Sequence, residues 1–244
     1  IEITVTGTSA HASVPWQGVN GLYRLASVVG RLEGYEPELD TSTPVFDHLS
    51  TFAIEHKPSP ENVDQIIAEV EPDNPRLASV LRALSRMTLT PTMVSGGIKS
   101  NSVPETIKLT CDVRTLPHQD EAYVAAELNK VLDGIPGVNF EIDNMAVPNS
   151  SPFDTEFARS IQTATARALG RDDIRWVPAV CTGFTDSRFT RPLGVVTYGF
   201  SGSHPDDDPM LSRAHGTDES IGISSLVSST KIMLALAYDM LAAR

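Results

Sequence analysis

Cysteine is nearly absent: Cys111 and Cys181 lie far apart and without C-x-x-C spacing, which excludes a disulfide framework and a zinc knuckle. Two reduced, buried thiols are expected; the compartment is left open, with the cytoplasm ranked ahead of secretion. Basic residues are also scarce, with 19 Lys and Arg against 31 Asp and Glu, giving a net charge of −12. That excludes the phosphate-neutralising surface of a nucleic-acid binder and disfavours attachment to anionic membranes. No run of 18 apolar residues occurs, so no membrane-spanning helix is expected. The chain opens in a strand-like run, Ile1–Gly7, with no initiator Met, so its true N-terminus can lie elsewhere. What remains is ordinary globular composition, 41% hydrophobic and 20% charged, over a length sufficient for one large domain or two modest ones.

Periodicity then orders the chain. Residues 1–7 alternate as a strand, and Val19, Leu22, Leu25, Ala26, Val29 and Leu32 recur at helical spacing up to Gly34. Residues 35–90 are punctuated by six prolines between short helical patterns, which predicts a helical insertion. Strands are expected over 89–98 and 104–115; the second places Ile107, Leu109, Cys111 and Val113 on one face. A helix at 119–133 and a strand at 138–145 complete a β-α-β-β-α-β order, the ferredoxin-like pattern. The polar stretch Pro148–Pro152 is the preferred boundary between domains 1–148 and 149–244. Beyond it a helix (153–169), short strands (174–178 and 194–199), a helical segment (182–190) and a final helix (219–242) predict an incomplete α/β layer. The fold class is thus α/β: an α+β first domain followed by part of a layered second one.

Chemistry-bearing residues stand in separate segments. His215, in Ala214-His215-Gly216-Thr217-Asp218-Glu219, precedes the last helix; a neutral imidazole there can ligate zinc, with Glu219 orienting its second nitrogen. It can equally be a surface residue beside a helix capped by Thr217 or Asp218. His11 lies among small residues in Ser9-Ala10-His11-Ala12-Ser13. Asn101 sits in a strand-to-strand turn, Arg114 ends a strand within reach of Asp112 or Asp120, and Arg188 stands beside Asp186. Each has a bland explanation by itself.

Taken together and in order, Gly7–Ser13 with Pro15, Gly96–Pro104, Cys111–Arg114, Thr182–Phe189, Gly194–Phe200 and Ala214–Gly216 resemble the M20 family of zinc metallopeptidases and amidohydrolases. The resemblance implies a lid, or dimerisation, domain followed by the returning part of a catalytic domain, in a homodimer joined through the lid. It implies hydrolysis of the amide bond of a small peptide or N-acyl amino acid bearing a carboxylate. His215 would be a zinc ligand, for one or two ions in the complete enzyme. His11 would reach the partner subunit's active site and stabilise the oxyanion. Asn101 and Arg114 would hold the substrate, Gly183 would offer backbone contacts, and Arg188 would help bind the carboxylate end. The chemistry is consistent: zinc-assisted amide hydrolysis needs a donor aimed at developing negative charge, and Arg forks suit carboxylates.

Family enzymes also carry an N-terminal half with His-x-Asp, a bridging Asp and an adjacent Glu-Glu pair. No Glu-Glu pair occurs here, and His204-Pro205-Asp206 matches His-x-Asp only formally, in an acidic loop. With His215 alone no three-ligand zinc site can be built. The expectation is a C-terminal portion, or one chain of a split enzyme, that by itself lacks a complete metal site and is inactive, and whose 149–244 segment exposes apolar surface. The competing reading is a non-catalytic dimerisation module. A Ser-His-Asp hydrolase is a poor third, because no G-x-S-x-G elbow occurs.

Overall fold

A computed structural model describes residues 1–143, 145–146, 148–204, 206–207, 212–214 and 216–241. The chain divides into two compact units: Ile1–Phe46 with Lys57–Pro148, and Asp47–His56 with Asn149–Arg244. The insertion at 35–90 thus lends its Asp47–His56 stretch to the second unit, which no local pattern in the sequence announces. Among the described residues no helix is long and apolar enough to cross a membrane.

The first unit is a four-stranded antiparallel sheet with helices packed on it. Its strands are β1 (Glu2–Thr6), β3 (Thr88–Gly96), β5 (Thr106–Arg114) and β6 (Val138–Glu141), in the order β3-β5-β1-β6. With α1 (Gly21–Glu33) and α4 (Glu121–Leu132) this is the expected ferredoxin-like arrangement. In β5 the alternation falls as anticipated: Ile107, Leu109 and Cys111 are buried, and Lys108 and Asp112 are exposed. Ile3 and Val5 from β1 join them beneath Val28 and Leu32 of α1. Both helices start on side-chain caps: Asn20 Oδ1 accepts from Leu22 N–H and Asp120 Oδ1 from Tyr123 N–H, each at 2.9 Å. Asp120 is therefore occupied as a cap. The insertion contains α2 (Val63–Val70), α3 (Pro75–Leu84) and a 3-10 stretch at Pro44–Phe52.

β3 is an edge strand, open on the side away from β5. Pro91 beside a register shift is tolerated there because an edge leaves backbone groups unpaired. Met93 and Val94 on this strand, and Leu22, Tyr23 and Val29 on α1, which packs against β3, are exposed apolar side chains.

The second unit rests on α5 (Glu156–Leu169) against α7 (Ile223–Leu241). Ile161, Ala164 and Leu236 form their shared core, and Arg167 holds Asp239 through two hydrogen bonds of 2.9 Å. The strands expected at 174–178 and 194–199 are not formed. A strand exists only with a ladder partner, and these segments have none among the described residues of this unit. α7 starts at Ile223 rather than near 219, so Thr217 and Asp218 precede the cap position. Asp207 accepts from Ser225 N–H at 2.7 Å across a long loop. Ile223, Leu226, Val227, Leu234, Tyr238 and Leu241 of α7 are exposed, as are Phe184, Phe189 and Leu193. The apolar exposure anticipated for this segment is thus present.

Candidate active-site residues

In the first unit, two short strands make a corner beside the main sheet. β2 (Ala10–His11) pairs antiparallel with β4 (Ser102–Val103), so that His11 faces Ser102. Ala12 N–H donates to Asn101 O at 2.9 Å, which places His11 and Asn101 side by side although ninety positions separate them. Thr8 and Val19 exchange backbone hydrogen bonds at the base of the loop. Such a crossing requires glycine: a β-carbon on Gly7 would strike Val19 O, and one on Gly18 would strike Thr8 O.

The His11 ring is exposed, and its Nδ1 accepts the Ser13 backbone N–H at 3.2 Å with Ser13 Oγ at 2.7 Å. A ring nitrogen that accepts a backbone N–H carries no proton, so in the neutral ring the hydrogen is assigned to Nε2. Local backbone geometry therefore turns His11 into a hydrogen-bond donor through its outer nitrogen.

Arg114 lies elsewhere in the same unit. It ends β5, whose first residue, Thr106, follows shortly after the His11–Asn101 corner; eight strand steps span about 27 Å. Its guanidinium is held by Asp112 through a two-pronged contact of 2.6 and 2.7 Å on the same strand face. Of the two candidate partners the pair is with Asp112.

In the second unit, Arg188 belongs to the four-residue helix α6 (Ser187–Thr190). Its guanidinium lies over the rings of Phe189 and Phe184, at 4.6 and 5.4 Å from their centroids, a cation–π arrangement that its neighbour Asp186 did not foretell. Gly183 N–H donates to Cys181 Sγ at 3.4 Å. Cys181 is exposed, contrary to the expectation of two buried thiols, because its segment joins no sheet; Cys111 is buried, and burial pushes its thiol up. His204 Nδ1 accepts Asp206 N–H at 3.2 Å, a local loop contact. Sequence reading missed Arg191, which joins Asn149 O (3.1 Å) and Ser151 Oγ (3.1 Å) to Thr197 O (2.7 Å) and pins the loops of this unit. Its only signal was an Arg beside Pro192.

His215 lies outside the described residues. Among the described residues no three His, Cys, Asp or Glu side chains converge to hold a metal ion.

The peptidase dimerisation domain of the M20 family matches residues 1–137. An N-fatty-acyl-amino acid synthase/hydrolase of Xenopus tropicalis is 28% identical over 259 aligned positions, covering 98% of this chain and 46% of that protein. The human counterpart of the same name is 26% identical over 97% of this chain and 48% of its own. Among solved structures, the di-peptidase Dug1p of Saccharomyces cerevisiae superposes with a TM-score of 0.62 at 15% identity, covering 96% of this chain and 52% of its own. Human carnosine dipeptidase 1 gives 0.62 at 13% identity over 98% and 55%. The chain spans about half the length of the relatives it matches.

Proposed function

This chain belongs to the M20 peptidase family, and on that premise we propose that it supplies the lid and the returning catalytic segment of a homodimeric amidohydrolase. The substrate class is a small peptide or N-acyl amino acid with a free carboxylate. The pairing of β2 with β4 carries the reading: it brings His11 to Asn101 and leaves Nε2–H as an outward donor. That hydrogen can meet the oxygen that gains negative charge when the amide carbonyl is attacked, while Asn101 steadies the same group.

Arg114, about 27 Å along β5 from Thr106, is too far from this corner to share one small substrate with the His11 of its own chain. The two ends of the lid therefore serve two different sites: His11 and Asn101 in the partner's, Arg114 in its own. In the Asp112–Arg114 pair the Asp112 carboxylate is exposed and the Arg114 guanidinium is half-buried. Such pairs contribute about 1 kcal/mol or less, so a substrate carboxylate can take over the Arg fork. For Gly183 and Arg188 this reading keeps the roles that the family resemblance implies, backbone contact and carboxylate binding. The exposed apolar side chains of α1 and the open edge of β3 form the face through which two lids join.

Zinc, one or two ions, is the metal this reading calls for, with His215 as one ligand. The described residues do not by themselves fit it and the sequence holds no adjacent Glu-Glu pair; this reading therefore takes the remaining ligands and the general base from outside this sequence, and no step is derived through the metal.

The test is His11→Ala in the metal-loaded dimer of the protein as its gene encodes it. We expect kcat to fall by about 10²–10³-fold with KM little changed, as for loss of one oxyanion donor. Metal analysis of the same sample should give at least one zinc per active site. A zinc-free dimer without hydrolytic activity would instead favour a dimerisation module, and unchanged kcat in the variant would remove His11 from the chemistry.

A further inference from the structure

The loop that carries His11 also carries an indole with no part in the reaction described above. Trp16 sits in a 3-10 turn, Pro15–Gln17, none of whose residues is buried, and is 87% exposed. Val14 beside it is exposed as well. The turn is nonetheless rigidly placed. Val14 N–H donates to His11 O at 2.9 Å, Gly18 N–H to Pro15 O at 3.1 Å, and the turn packs against β2. Pro15 fixes its first dihedral angle. His11 and Trp16 therefore stand on one frame, and a group that meets the first has the second near it.

The surroundings define what that group is. From Gly7 to Tyr23 the sequence holds no Asp, Glu, Lys or Arg, although 20% of the chain is charged. An exposed indole without charged neighbours on its own loop offers a flat apolar surface and has contributed nothing to the fold. We infer that Trp16, with Val14, is a specificity-determining platform for an apolar acyl or aromatic group next to the scissile amide. Like His11 it acts in the partner's site, and this assignment rests on the role proposed for His11.

The experiment uses the metal-loaded protein as its gene encodes it, with N-acyl amino acids from acetyl to dodecanoyl. Trp16→Ala lowers kcat/KM for the dodecanoyl substrate about tenfold or more and leaves the acetyl substrate nearly unchanged, and Trp16→Phe recovers most of the difference. A uniform loss along the series, or none, overturns the inference. His11→Ala separates the two levels. If it cuts turnover at every acyl length while Trp16→Ala is flat, the platform alone fails; if it changes nothing, the role of His11 fails and the platform with it. A direct readout comes from the protein with Trp176→Phe, and with any indole outside this sequence replaced as well, which leaves Trp16 as the reporter. Its emission shifts to the blue on addition of dodecanoyl amino acid and does not with acetyl amino acid; an unmoved spectrum with both contradicts the inference.

Discussion

In the first unit each long strand-like run finds a neighbour: β1 pairs with β5 and β6, and β5 with β3. In the second unit, residues 174–178 and 194–199 have strand-like composition and join no ladder. Its order rests on one helix pair and on polar clamps such as Arg191, with much of α7 left apolar and exposed. Strand propensity is a preference for a pleated, half-buried surface, and without that surface it produces no strand. The same difference separates the two sets of candidate site residues. Those of the first unit are held by a backbone pairing, whereas Gly183 and Arg188 stand in short loop and single-turn segments.

The largest expected contrast is between core positions. Leu128→Ala, at a side chain with 0% exposure in the first unit, should cost about 2–5 kcal/mol in urea unfolding. Leu234→Ala on α7, 67% exposed, should cost less than about 0.5 kcal/mol. Equal costs would mean that α7 is covered in solution and would break the contrast. Next is Arg191→Met, which unties Asn149 and Ser151 from Thr197; a loss of about 1.5–3 kcal/mol confined to the second unit is expected. Hydrogen exchange that loosens both units alike would deny that they respond separately.

The smallest effect is a pH dependence in the first unit. Burial, reinforced by its hydrogen bond to Glu127 at 2.7 Å, pushes the Tyr35 phenol well above its ordinary value of 10.0. The unfolded chain therefore releases that proton first, so the contribution is complete below pH 10.0 and is lost as pH rises above it. Tyr35→Phe should flatten the alkaline fall in stability, and an unaltered slope would assign that fall to other groups.

Local signals carried the first unit. The alternation in β5, the helices α1 and α4 and the helical insertion were legible because each depends on residues a few positions apart. The His11–Asn101 corner was not readable from spacing, since a two-residue strand has no period; only the family resemblance joined the two residues. Asp207 capping α7 from eighteen positions upstream, the passage of Asp47–His56 into the second unit and the exposure of Cys181 all depend on long-range packing. So does the missing pair of strands: their sequence is strand-like, and what they lack is a partner.

The most direct measurement is activity in mixed dimers. His11→Ala and Arg114→Ala chains, each nearly inactive alone, are co-expressed with different tags and assayed together. If the corner serves the partner's site and Arg114 its own, half of the randomly paired dimers are mixed and each carries one complete site, which restores about a quarter of wild-type activity. If His11 and Arg114 serve the same chain's site, every site in the mixture lacks one of them. Activity then stays at the level of the single variants, and the assignment in trans is wrong.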